Sequence, residues 1–268
     1  MNIPKMIIFD YGQTLVTEKP FDGLKGTKDV LSRATDNTCT VSAEEIQALA
    51  NELNKEIGRY GVDFEKQNML EIHNHVFQRY LYEYFDIELT KSPEEVERIF
   101  ENAASVAEPT NNIEEFLKFL ENENIRTSVI SNISFSGDML KSRINRYIPS
   151  HKFEFIIASS EYGFRKPHRR IFEIALRKAK LDANDVWYCG DNAVFDVDGA
   201  AACGLHSVWY KGAIEKSNKC IPQKKCLQIM DWNELIDIIK RSVEVSDCTS
   251  YLRGPYNFQV QATENTNK

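Results

Sequence analysis

The chain has 268 residues, 42% hydrophobic and 27% charged, an ordinary make-up for a globular protein with core enough for one large domain or two modest ones. Its net charge of −7 argues against a nucleic-acid surface, which needs clustered cations to replace phosphate counterions. The chain has no basic leader and no apolar run near the roughly 18 residues of a membrane span, and its six cysteines form no C-x-x-C pair, so a reduced, cytoplasmic protein away from membranes is expected.

Met6-Ile7-Ile8-Phe9 runs unbroken into Asp10 and a set of turn formers, the pattern of a strand buried on both faces of a parallel sheet. The next apolar strand begins only near Thr127, a gap too long for a single crossover, so an insertion is expected. Within it, Ile46, Leu49, Leu53 and Ile57 recur at helical spacing behind Ser42 and Glu45, a capping box. Met69, Ile72, Val76, Phe77, Tyr80, Leu81 and Tyr84 make a second helical stripe, and Pro93 opens a third helix through Val96, Ile99 and Phe100. Residues 18–107 are therefore predicted to be an all-helical unit inserted into an α/β unit made of residues 1–17 and 108–245.

Beyond the insertion, strand and helix alternate. A helix around Ile113 to Leu120 precedes a strand from Thr127 to Ser131, and a helix from Met139 to Tyr147 precedes a strand from Phe153 to Ala158. Pro167 opens the next helix, Val186 to Cys189 is a fourth strand, His206 to Tyr210 a fifth and Cys226 to Met230 a sixth, before a last helix from Trp232 to Val243. Repeated βα units of this kind predict a doubly wound parallel sheet with helices on both faces. The polar stretch 246–268 reads as a mobile tail.

In open α/β sheets ligands bind beyond the carboxyl ends of the strands. Four predicted strands deliver Asp10, Ser131, Lys166 and Asp191, with Asp196 five residues further on, to one such rim. Taken singly, each has a plain explanation: Asp10 as a turn residue, Ser131 and Asp196 as helix caps, Lys166 as a solvated charge. The signal is the order of all of them, each behind its own strand.

Asp10-Tyr11-Gly12-Gln13-Thr14, Ser131-Asn132, Lys166-Pro167 and Gly190-Asp191-Asn192 through Asp196 resemble the four motifs of the haloacid dehalogenase-like (HAD) superfamily, over roughly Met6 to Val243. The resemblance implies a Rossmann-like core with a helical cap and a Mg²⁺-dependent hydrolase, most of all a phosphatase that acts on a small phosphorylated metabolite through an aspartyl phosphate. It makes Asp10 the nucleophile and a metal ligand, with the Gly12 main-chain carbonyl and Asp191 completing the metal site. Thr14, Ser131, the Asn132 amide and Lys166 would hold phosphoryl oxygens, Lys166 acting in catalysis as well, and Asp196 and Asn192 would support them.

Gly12 departs from the family pattern. Its phosphatases carry there a second aspartate, which protonates the leaving group and later activates water. General acid–base help is worth about 10²- to 10⁴-fold in rate, so weakened turnover of alkyl phosphates is expected. The alternatives on the same fold are a non-catalytic phosphate-ligand-binding or interaction protein, a dehalogenase, or a phosphonate hydrolase with a Schiff-base lysine among Lys25, Lys28, Lys55 and Lys66. Asp191 favours phosphorus chemistry, since the dehalogenases work without metal. Phe77, Tyr80, Tyr82, Tyr84 and Phe85 are candidates to line a pocket, and His168-Arg169-Arg170 reads as helix surface.

Overall fold

The structure, a computed structural model, describes residues 3–36, 40–59, 69–213 and 220–251, the last helix beyond 242 by its backbone alone. The chain opens with β1 (Met6–Phe9), β2 (Val16–Glu18), α1 (Gly23–Ala34), α2 (Ala43–Glu56), α3 (Asn74–Tyr84), α4 (Pro93–Ala104) and β3 (Ala107–Pro109). It continues through α5 (Ile113–Asn122), β4 (Arg126–Ser131), α6 (Gly137–Tyr147), β5 (Ile156–Ala158), α7 (Ser159–Tyr162) and α8 (Arg169–Ala179). It ends with β6 (Val186–Gly190), α9 (Gly199–Ala202), β7 (His206–Tyr210), β8 (Leu227–Ile229) and α10 (Trp232–Tyr251).

Six strands form one parallel sheet in the order β5-β4-β1-β6-β7-β8, so the first strand of the chain lies inside it. All four residues of β1 are buried, and their alternation divides them between two cores. Ile7 and Phe9 join Phe116, Val129, Trp187 and Trp232 on one face, while Met6 and Ile8 join Ile130, Phe172 and Tyr188 on the other. The expected doubly wound α/β architecture is what the chain adopts. Among the described residues, no helix is long and apolar enough to cross a membrane.

The insertion folds as α1 to α4 around a third core that includes Val30, Ile46, Leu81, Tyr82 and Val96. Ser42 and Glu45 make the reciprocal capping box, and Pro93 stands in the first turn of α4. Helix α1 had no counterpart in the sequence pattern, because Gly23 and Gly26 interrupt it. Those glycines serve contact: a Cβ on Gly26 would lie 2.7 Å from the Phe100 ring, so only hydrogen lets α1 meet α4 this closely.

Three other elements depart from the sequence reading. A two-stranded antiparallel ribbon, β2 with β3, connects the core to the insertion through the pairs Val16↔Pro109 and Glu18↔Ala107. The expected strand from Phe153 to Ala158 is shorter, Ile156–Ala158, because β5 is an edge strand with only β4 to pair with. Helix α10 runs on to Tyr251, beyond the expected end at Val243, as no proline or glycine intervenes to stop it. The rest of the expected tail, 252–268, lies outside the described residues.

Trp232 closes the larger core. Its ring stacks on Tyr210 at 4.4 Å and Phe116 at 5.2 Å, meets Phe9 edge-on at 5.7 Å, and its Nε1 donates to the Thr110 hydroxyl at 3.0 Å. Trp232→Ala is expected to cost about 3–5 kcal/mol, read as a lowered urea midpoint with an unchanged slope. A midpoint that stays put would show that α10 is not needed to seal β1.

Candidate active site

The sheet's register builds the rim. Phe9 lies opposite Val129 on one side and Cys189 on the other, so Asp10, Ser131 and Asp191, each just beyond, reach the same carboxyl edge. The Asp10 N–H donates to the Cys189 carbonyl at 2.8 Å, fixing the residue at the strand's end.

Lys166 holds the centre together. Its ammonium is buried and donates to Asp10 Oδ1 and Asp196 Oδ1, both at 2.6 Å, and lies 2.8 Å from the Tyr188 hydroxyl and 3.2 Å from the Ile130 carbonyl. The loop that carries it is clamped by the Asn132 side chain, which accepts from the Lys166 N–H at 2.7 Å and donates to the Lys166 carbonyl at 2.9 Å. Asp196 is oriented in turn by the Asn192 N–H, donating to its Oδ2 at 2.9 Å, while the Asn192 side chain caps the next turn through Val194 and Phe195.

One ammonium faces three carboxylates. Asp10, Asp191 and Asp196 each offer an oxygen, and these oxygens lie within 4.8 Å of one another. Burial, with Asp196 adding to it against the pull of Lys166, pushes the Asp10 carboxyl up to about 7. Burial and then the charges of Asp196 and Asp10 push Asp191 up to about 8. Burial also disfavours the Lys166 ammonium, but Asp10 and Asp196 outweigh it and hold its pKa above the ordinary value. The excess negative charge and the hard, all-oxygen donor set suit a Mg²⁺ ion.

These groups open onto a cavity of about 1030 Å³ between the rim and the helices of the insertion. Of the residues singled out in the sequence, Asp10, Gly12, Ser131, Asn132, Lys166, Asp191, Asn192 and Asp196 all line it. Thr14 does not: it is wholly buried, its hydroxyl has no partner among the described residues, and its carbonyl accepts from the Thr110 hydroxyl at 2.8 Å. Phe77 and Tyr82 line the cavity, whereas Tyr80 and Tyr84 are exposed on the far side of α3. Lys25, Lys28 and Lys55 are exposed and stay out of the lining, which leaves the Schiff-base reading without support among the described residues; Lys66 lies outside them. Arg169 and Arg170 are on the surface, both paired with Glu173.

Sequence reasoning missed three participants. Tyr188 sits in the apolar run of β6, and the one available signal was its phenol, which needs a partner when buried. Glu18 and Arg143 are joined by a 2.6 Å ion pair across the fold, with no local pattern to announce it. Their position bears on Gly12: a Cβ there would lie 2.6 Å from Glu18 Oε2, so a carboxylate from β2 already occupies the space a side chain at 12 would enter.

Residues 7–210 match the family described as haloacid dehalogenase-like hydrolase. The chain belongs to that family. This HAD-like hydrolase is 27% identical to the pyrimidine 5′-nucleotidase YjjG of Escherichia coli over 205 residues, covering 76% of the chain and 84% of the nucleotidase. It is 39% identical to a glyceraldehyde 3-phosphate phosphatase of Pyrococcus abyssi over 59 residues, 22% of the chain and a span of only 25% of that enzyme. A solved 2-haloacid dehalogenase from Pseudomonas syringae shares its fold, with a TM-score of 0.61 at 20% identity over 89% of this chain and 99% of the other.

Burial raises the Asp10 and Asp191 carboxyls to about 7 and about 8 against an ordinary 3.8, so the folded chain is expected to bind protons that the unfolded chain releases. Stability of the metal-free HAD-like hydrolase is therefore expected to fall as pH rises from about 4 to about 8, because the folded state binds more protons across that window. Added Mg²⁺ should recover stability at the alkaline end. Thermal midpoints against pH, with and without Mg²⁺, test this; a flat metal-free profile contradicts it.

Proposed function

We propose that this chain is a Mg²⁺-dependent phosphatase of small phosphorylated metabolites that works through an aspartyl phosphate on Asp10. The observation that carries the reading is Asp10 itself, buried at the cavity floor with Oδ1 bound to Lys166 and a second acidic residue, Asp191, beside it. The match to a 5′-nucleotidase over most of both chains supports a phosphomonoester as substrate.

Asp10 and Asp191 with the Gly12 carbonyl would hold the ion, which when bound offsets the repulsion between a carboxylate nucleophile and an anionic phosphoryl group. The chain's own residues do the rest. Lys166 steadies Asp10 through Oδ1 and leaves the other oxygen to attack phosphorus, and its charge offsets that gathering on the phosphoryl oxygens. The Ser131 hydroxyl and the Asn132 amide hold those oxygens in place. Asp196 and Tyr188 fix the ammonium, and water releases phosphate from Asp10 in the second step. Thr14, buried away from the cavity, acts by packing the nucleophile loop. Residues 18–107 serve as a cap that shields the reaction from bulk water.

Gly12 offers no acid for the leaving group, so turnover is expected to favour phosphates whose leaving groups need no proton. Phosphate release from acetyl phosphate in Mg²⁺ is expected to exceed that from alkyl phosphates and to vanish in Asp10→Asn. Phosphate binding without release from acetyl phosphate, p-nitrophenyl phosphate or any alkyl ester would instead support a binding protein. Gly12→Asp alone is expected to gain little on alkyl phosphates, since Glu18 blocks its side chain. Gly12→Asp with Glu18→Ala is expected to gain on the order of 10²-fold. An equal gain in the single variant would show that Glu18 yields freely.

A further inference from the structure

The cavity is far larger than a phosphoryl group needs, and its outer wall comes from α3. Asn74 and Gln78 stand one helical turn apart on one face of that helix, line the cavity and are only 6% and 5% exposed. Among the described residues, the Asn74 side-chain oxygen is buried with no partner, and the Gln78 carboxamide makes no hydrogen bond. A buried amide oxygen left unpaired beside a second free carboxamide that faces the cavity is unfavourable unless a ligand completes it.

The arginines around them each face a carboxylate already, with Arg59 and Arg165 sharing Glu71 and Arg143 meeting two. Arg59 and Arg165 face Glu71 at 3.4 Å and 3.5 Å, and Arg143 faces Glu18 at 2.6 Å and Glu101 at 3.1 Å. Among the described residues, every guanidinium on this wall meets a carboxylate. A second anionic group on a substrate would find repulsion there as readily as attraction.

We propose that Asn74 and Gln78 read the leaving group, and that this group is uncharged and carries both hydrogen-bond donors and acceptors. A carboxamide presents one donor face and one acceptor face, and two in register match a ligand edge that alternates the same way. A sugar hydroxyl pair and a heterocyclic amide share that chemistry. Phosphorylated carboxylic acids and bisphosphates do not. The inference rests on the phosphatase reading and adds to it the substrate class.

Steady-state kinetics of the full chain in Mg²⁺ test it on p-nitrophenyl phosphate, a nucleoside 5′-monophosphate, a hexose phosphate, phosphoglycolate, phosphoserine and a sugar bisphosphate. A nucleoside or hexose monophosphate is expected to exceed the three charged esters at least tenfold in kcat/KM, and which one leads separates heterocycle from sugar. Asn74→Leu and Gln78→Met are each expected to raise KM for that substrate about tenfold, a larger factor than for p-nitrophenyl phosphate, whose ring offers no matching donor. The thermal midpoint of ligand-free Asn74→Leu is expected to hold or rise, since it loses a buried unpaired oxygen, and that of Gln78→Met to hold; a fall in either would mark the amides as structural and overturn the proposal. Preference for phosphoglycolate, phosphoserine or the bisphosphate would overturn it too, as would unchanged KM values. Absence of all hydrolysis, p-nitrophenyl phosphate included, would remove the phosphatase reading and this inference with it.

Discussion

The buried ammonium of Lys166 is the constraint on which the rest of the site depends. Two carboxylates, Asp10 and Asp196, both 2.6 Å from one nitrogen, would repel strongly in a dry interior if that charge were absent. Breaking such a pair by removing one partner typically costs about 3–5 kcal/mol, more than most single contacts in a protein. Lys166 makes the acidic rim compatible with a folded chain, and it lets Asp10 be buried while keeping one oxygen bound in a fixed direction.

The parallel sheet, open at one edge, is what gathers the acidic groups. Register sets Asp10, Ser131 and Asp191 at neighbouring strand ends, where burial on both faces below them supplies rigidity and the absence of a further sheet residue leaves room for a ligand. Asn132 and Asn192 then spend their side chains on the loops that hold Lys166 and Asp196. Lys166 and the two carboxylates are thus held in place by one another and by hydrogen bonds from the neighbouring loops.

What the sequence revealed and what it hid follow the range of the interactions. The wholly apolar strand β1, the capping box of α2 and the proline start of α4 are local signals, and they stand where expected. The order of Asp10, Ser131, Lys166 and Asp191 was legible because each follows its own strand. The β2–β3 ribbon was not, because three-residue strands separated by the entire insertion carry no periodicity of their own. Helix α1 hid behind glycines that exist for its contact with Phe100. The aromatic stripe of α3 was read whole, yet its helix divides it, sending Phe77 and Tyr82 inward and leaving Tyr80 and Tyr84 outside.

Glu18 shows why the change at position 12 is more than a missing acid. Arg143, buried on α6, binds Glu18 at 2.6 Å, pairs with Glu101 on α4, donates to the Ser105 hydroxyl oxygen at 2.8 Å and lies 5.1 Å over the Tyr11 ring. One guanidinium therefore ties together the nucleophile loop, the ribbon and the insertion. A charge held in such a network is costly to unpair, so Glu18 is not free to swing aside when a side chain is added at 12. Glycine at that position and the Glu18–Arg143 pair form one arrangement: the hydrogen makes room for the carboxylate, and the carboxylate anchors the ribbon that leads into the helices above the cavity. The glycine at 12 is in this way built into how the insertion is attached to the core, and changing one without the other strains the joint between them.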